Sequence, residues 1–152
     1  MNVTKMNLVG VDFTEANLAG VDLEKANFEG ANLTRVNFEG ANLTGANLTG
    51  ANLTGANLTG ANMKGANLKR ANLDGANLTN ADLDWASLMG ASLLKSDLIK
   101  TDFTGANLQG ADFTNADFEG ANLKWANFQW AHVDGASFEN ANLKDAYFLA
   151  AT

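Results

Sequence analysis

Few residues of this chain could do chemistry. A single histidine, His132, follows Asp112 by twenty residues, and an imidazole beside a carboxylate is a common acid–base pair in catalysis. Three acidic pairs share that separation: Asp82 with Asp102, Asp97 with Asp117, and Glu119 with Glu139. Paired carboxylates are the usual beginning of a calcium site. Cysteine is absent, which removes thiol nucleophiles, zinc–thiolate sites and disulfides together. No serine or cysteine nucleophile accompanies His132, and no glycine-rich calcium loop accompanies the acids. Whether any of these groups meet depends on the elements that carry them.

Those elements follow from a strict repeat. Large apolar residues recur at every fifth position, from Val3, Leu8, Phe13 and Leu18 through to Leu143 and Phe148. Two residues before each stands a small or apolar side chain, mostly alanine, with Ser96 and Thr101 as exceptions. Between them is usually Asn or Asp. The unit reads Ala-Asn-Leu-Thr-Gly, with four perfect copies from Ala41 to Gly60.

A period of five excludes an amphipathic helix, because at about 100° per residue successive leucines would spiral around the axis. Ala-Asn-Leu alternates in, out and in, as a strand does, and Thr-Gly supplies a turn. All fifteen glycines occupy the fifth position, where a type II turn across Leu-Thr-Gly-Ala requires positive φ. Where Lys5, Glu15, Lys25, Arg35, Arg70, Asn80, Trp85, Lys95, Lys100, Trp125 or Trp130 fills that slot, the corner is expected to relax, so that turn type varies along the chain. A chain that turns every five residues cannot bury its Leu and Ala alone. Successive turns must stack, with parallel strands bonded from coil to coil.

Ala-Asn-Leu-Thr-Gly and its variants resemble the pentapeptide-repeat family, whose motif is a small residue, Asn or Asp, Leu or Phe, a polar residue and Gly. The resemblance covers essentially residues 1–151 and implies an all-β, right-handed parallel quadrilateral β-helix with four units per coil. The chain, residues 1–152, is thus expected to be a single solenoid domain of about 7.5 coils, roughly 36 Å long at the usual inter-strand spacing. No pattern for a capping helix precedes Val3 or follows Phe148.

With four units per coil, residues twenty apart stack. Leu43, Met63, Leu83, Phe103 and Leu123 then form an inward column, and outward asparagines such as Asn42 and Asn62 form ladders that bond to one another and to corner backbone. His132 falls over Asp112 as a surface substitute for one Asn, and the acidic pairs read as solvated surface acids; neither catalysis nor a metal site is expected. Outward apolar residues carry more information. The fourth position is Met89, Leu94 and Ile99 in consecutive units, a belt around one coil that begins at Trp85. Trp125 shares Trp85's column across Gly105, and Trp130 lies on the next corner. Exposed aromatics of this kind are anchors for a protein partner. The apolar ending, with Tyr147, Phe148 and Leu149, is expected to form an end-to-end homodimer interface through the C-terminal coil.

Composition sets further bounds. The 152 residues are 46% apolar, enough for a core without cross-links. No stretch approaches the roughly 20 apolar residues that span a bilayer, and the start has no secretory apolar region, so a cytoplasmic protein without membrane contact is expected. Acceptor patterns such as Asn32-Leu33-Thr34 and Asn42-Leu43-Thr44 are generated by the repeat and carry no weight.

Net charge is −7, which disfavours nucleic acid as a direct ligand. Residues 1–40 hold six acids against three bases, 41–100 four against five, and 101–152 seven against two. No pocket-forming pattern, nucleophile or cofactor motif is present, so a non-enzymatic, cofactor-free scaffold is expected. The resemblance also implies an alternative, an acidic rod that mimics DNA and binds DNA gyrase to inhibit or protect it. Duplex DNA carries one negative charge per about 1.7 Å, so a rod of this length would need about twenty, and the chain falls well short.

Overall fold

The computed structural model describes residues 4–152; Met1 and Val3, where the repeat begins, lie outside the described residues. Short parallel bridges join each unit to the unit twenty residues later, from Asn7 with Asn27 to Asn127 with Tyr147. Twenty residues per turn is four units per coil, so the coil has four faces. The first face carries the outward column from Asp22 through Asn62 to Asn142, and the second runs from Asn7 to Tyr147. The third runs from Asp12 to His132 and the fourth from Asn17 to Ser137. Among the described residues there is no helix, and therefore none long and apolar enough to cross a membrane.

In a regular unit every backbone N–H finds an acceptor, and each of the five residues uses a different one. In Ala41–Gly45, the Ala41 N–H closes a turn on the Phe38 carbonyl at 2.9 Å. Asn42 donates to Val21 in the preceding coil at 3.0 Å, while Leu43 and Gly45 donate to Asn62 and Lys64 in the following coil at 2.7 and 2.8 Å. Thr44 has no backbone acceptor, and its N–H goes to Oδ1 of Asn42 at 3.2 Å. The Asn slot of the motif follows from this: an Asx side chain reaches the amide two residues on that the stacked coils leave over.

The corners are more uniform than the sequence implied. Every fifth position, glycine or not, has φ between 54° and 68°, including Asn115, Asn140, Asp145 and Ala150. Each corner from Val11 onward also keeps the turn bond from first-position N–H to third-position carbonyl. Positive φ at the third turn residue alone makes these type II turns. The expected relaxation at Lys5, Arg35, Trp85 and the other large residues does not occur. The same backbone must also place the fifth N–H on the next coil, and that bond holds an L residue in a conformation costing about 1–2 kcal/mol. Side chains in the slot lean onto the following coil. Ideal Cβ atoms at Gly45 and Gly55 would stand 3.4 Å from Lys25 Cγ and 3.3 Å from Arg35 Cγ.

Inside, the third and first positions alternate as layers of large residues and alanine. Leu43, Met63, Leu83, Phe103 and Leu123 are all fully buried, within a core continuous from Leu23 to Ala131. Phenylalanines twenty apart stack face to face: Phe118 on Phe138 at 4.8 Å and Phe128 on Phe148 at 4.6 Å, each tilted by 7°. The two polar intruders are satisfied by backbone. Ser96 Oγ donates to the Leu93 carbonyl at 2.8 Å, and Thr101 Oγ1 to the Leu78 carbonyl one coil away at 2.7 Å.

Two predictions follow from this geometry. Leu53→Ala should cost roughly 2–5 kcal/mol in chemical denaturation, because Leu53 is fully buried. Thr54→Ala removes only a surface hydroxyl bond to Asn52 and should cost well under half as much; equal losses would contradict the inward–outward assignment. At Gly50, with φ of 63° and open space around it, Asn should be tolerated better than Val, since branching at Cβ clashes in the left-handed region. Measured melting temperatures in the reverse order would remove the steric basis of the glycine slot.

Candidate functional site

The chemistry-bearing residues do not assemble into a reactive centre. Asp112 and His132 are bridged in the backbone, yet Oδ1 of Asp112 accepts the Thr114 N–H and hydroxyl at 3.0 and 2.6 Å. Nδ1 of His132 turns instead to the Thr152 hydroxyl at 2.7 Å, so no acid–base pair forms with Asp112. Several of the stacked acids are likewise engaged by local partners. Asp82 pairs with Lys64 at 3.2 Å, which holds the Lys64 ammonium above its ordinary pKa by hydrogen bonding and charge attraction. Asp102 accepts from Thr104 and Asn122, and Asp117 from the Glu119 N–H. Among the described residues, no three His, Asp or Glu side chains converge as a metal site would require.

The outward apolar residues behave differently from expectation. Leu94 and Ile99 are half-buried on the corners after the third and fourth faces, while Met89 is exposed on the corner after the second. The three lie on successive corners of one coil. The Leu94 N–H is taken by Asp74 of the preceding coil at 3.0 Å, and Asp74 also accepts the Ser92 hydroxyl.

Exposure is instead organised along the rod. Trp85 and Trp125 lie on the corner before the second face, and Met89, Trp130 and Leu149 on the corner after it. Tyr147 ends the outward column of that face. These six residues are between 37% and 65% exposed. In the C-terminal half, Leu143 is the only other large apolar residue with such exposure, and it is an inward residue of the last coil. Tyr147 and Leu149 therefore point sideways and join the tryptophans, while Phe148 stacks inward on Phe128. The sequence had grouped these three as one end interface; their orientations divide them.

Trp85 is laid flat. A Cβ at Gly105 would stand 2.7–2.8 Å from its Cδ2, Cε3 and Cζ3 atoms, so the ring occupies the space a side chain at 105 would take. The Lys124 ammonium sits 3.9 Å from the centroid of Trp125. Asn107 and Asn127 run between the corners, and on the corner after the face Gln109 donates to Gln129 at 2.8 Å. At the lower end, Thr49, Lys69, Arg70 and Met89 line a shallow depression of about 320 Å3. The second face itself and the corner after it carry no acid in this half, whereas Asp84 and Asp145 lie on the corner before it. Asp97 and Asp117 are on the fourth face, opposite, with Glu119 and Glu139 on its corner.

The order of Trp85 can be tested through its emission. Gly105→Ala should lift the ring and red-shift tryptophan fluorescence, whereas Gly110→Ala, with no atom within 4 Å of its Cβ, should not. Unchanged emission from Gly105→Ala would mean that the ring does not rest there.

Comparison with known proteins agrees with this architecture. The family model described as pentapeptide repeats matches in eight copies, over residues 2–35, 31–70, 56–93, 66–105, 81–120 and 121–152. No curated protein matches the sequence. Among solved structures, the pentapeptide repeat protein alr5209 from Nostoc PCC 7120 is 34% identical over 62% of this chain and 74% of that one, with a TM-score of 0.53. A trypsin-treated form of QnrB1, a plasmid-mediated fluoroquinolone resistance protein, is 18% identical over 97% of this chain and 80% of that one, with a TM-score of 0.57. HetL, involved in heterocyst differentiation regulation in the cyanobacterium Nostoc sp. strain PCC 7120, is 35% identical over 95% of this chain and 75% of that one, with a TM-score of 0.37. The four-sided stack of five-residue units is a right-handed parallel β-helix, and the chain belongs to the pentapeptide-repeat family.

Proposed function

We propose that the chain is a non-enzymatic scaffold that binds another protein through its second face and the two corners beside it. The observation that carries this reading is the segregation of Trp85, Met89, Trp125, Trp130, Tyr147 and Leu149 onto one side of a four-sided rod. Repeat geometry alone asks for none of them there. Exposed tryptophan and tyrosine supply contact area at low entropy cost, and in clusters they are typical of interface hot spots. The opposite side is acidic and solvated.

A DNA-mimic role at gyrase is the weaker reading. QnrB1 shares the fold at an identity that speaks to fold alone. The net charge of −7 is about a third of what a duplex of the same length presents.

Photo-cross-linking separates these possibilities. With a photoreactive residue at Asn107 of the second face or at Asp117 of the fourth, an extract of the source organism should give discrete protein adducts at Asn107 and not at Asp117. Adducts at Asp117 alone, or at both equally, would remove the second face from the interaction. In parallel, DNA gyrase supercoiling should be unaffected by the purified chain, with or without a quinolone. Inhibition or protection there would replace the scaffold reading with the mimic.

A further inference from the structure

Lys69 and Arg70 follow one another on the corner after the second face, and neither forms an ion pair among the described residues. The Arg70 stem lies toward Gly90, its Cγ 3.8 Å from where a Cβ would stand, so that it borders the depression shared with Thr49 and Met89. Above them, the second face and this corner carry no carboxylate up to Leu149: the outward side chains are Ser87, Asn107, Asn127 and Tyr147, then Met89, Gln109, Gln129 and Trp130. In a chain with seventeen acids, this strip has two cations at its lower end and otherwise amides, hydroxyls and exposed apolar groups.

Its dimensions limit what can occupy it. From Lys69 to Leu149 is four coils, roughly 19 Å at the parallel-strand spacing, and one face is about 10–15 Å wide. The resulting flat area, about 200–300 Å2, is well below the roughly 800 Å2 per partner of a standard interface between folded proteins. It matches about six residues of extended chain at ~3.3 Å each. The coil edges along the face are already paired, so such a segment would be read by side chains and not by strand addition.

We infer that the second face is the docking groove for an extended peptide segment of a partner, with one or more Asp or Glu side chains on Lys69 and Arg70 and apolar side chains following on Met89, Trp85 and Trp130. This inference rests on the scaffold reading and specifies the partner's chemistry. Arg70 presents a planar fork to a carboxylate, and Met89 adapts its shape to an apolar neighbour. The amide ladder of Gln109 and Gln129 offers donors and acceptors to the segment's backbone. The acidic fourth face repels the same segment, which favours one side of the rod over the other.

The test is selection from a random library of displayed 12-residue peptides on the full chain, followed by titration of the enriched sequences as synthetic peptides. Two variants serve as controls. Trp85→Gly with Met89→Thr and Trp130→Gly restores the repeat's own residues and so keeps the fold; Lys69→Glu with Arg70→Glu reverses the charge. Enriched peptides should place Asp or Glu beside alternating apolar residues, bind about tenfold or more weakly to either variant, and weaken as salt is raised. Peptides that lose affinity for the Trp85/Met89/Trp130 variant but ignore charge reversal would overturn the acidic-segment inference and leave the contact face standing. Peptides that bind that variant as well as the parent would remove the face itself. Failure to enrich any peptide, while Asn107 still forms protein adducts, would show that the face takes a folded partner and would also overturn the inference. A dimer abolished by the same triple substitution would assign the face to a second copy instead.

Discussion

The whole molecule depends on one requirement, that each coil hand its backbone hydrogen bonds to the coils above and below in a register of twenty residues. In every regular unit three N–H groups cross between coils and one closes the corner. The remaining amide, at the fourth position, is bonded by Asn or Asp two residues earlier, as Thr44 is by Asn42 and Thr59 by Asn57. The motif is the solution to that accounting. Alanine and leucine fill the inside, Asx captures the spare amide, and the fifth residue accepts positive φ so that its N–H can reach the next coil. Since an unpaired buried amide costs about 1–3 kcal/mol, each slot of the motif is under separate and similar pressure.

Departures from the motif therefore have visible consequences. Where Ser87, Ser92, His132, Ser137 or Tyr147 replaces Asn, the local Asx bond is lost, and in one case it is replaced: Asp74, a coil below, accepts Leu94 N–H in place of Ser92. Ser87 Oγ is left without a partner among the described residues. The coil from Asp82 to Thr101 gathers several such departures together with two core hydroxyls, Ser96 and Thr101. It is also the part that carries Trp85 and Met89. Irregularity and exposure of apolar surface coincide there.

Much of the architecture was legible in the residues. A period of five with alternation inside the unit is incompatible with a helix, and it fixes which side chains point inward; Leu53 and Thr54 need no structure to be told apart. The structural use of the asparagines was also readable, because Asx side chains have few other ways to serve a corner. The uniform corner was not legible. Residue preference argues that Lys100 or Trp130 should avoid positive φ, and only the stacked backbone, which no single unit contains, overrides that preference. The sidedness of the rod was hidden for a similar reason. Met89, Leu94 and Ile99 are equivalent in the repeat, yet they lie on three different corners, and only that of Met89 adjoins the second face. His132 shows the same limit: its column neighbour is Asp112 on one side and Thr152 on the other, and the hydrogen bond goes to Thr152.

A repeat this regular also gives its own reference state. For an ordinary globular surface there is no way to know which residue a position would carry if stability alone were at stake. Here the answer stands in the neighbouring units: Gly where Trp85 and Trp130 are, Thr where Met89 is. Replacing Gly at positive φ by tryptophan costs backbone strain of about 1–2 kcal/mol, and exposing its ring to water recovers little of that. Trp85 recovers some by lying across Gly105, but it remains 65% exposed, so most of its apolar surface has no partner within the chain. Around the second face the rod thus carries exposed aromatic residues that its own stability does not call for. Contact with a partner would return that energy, and this is the physical ground on which we propose the second face, rather than the histidine or the acids, as the place to seek its function.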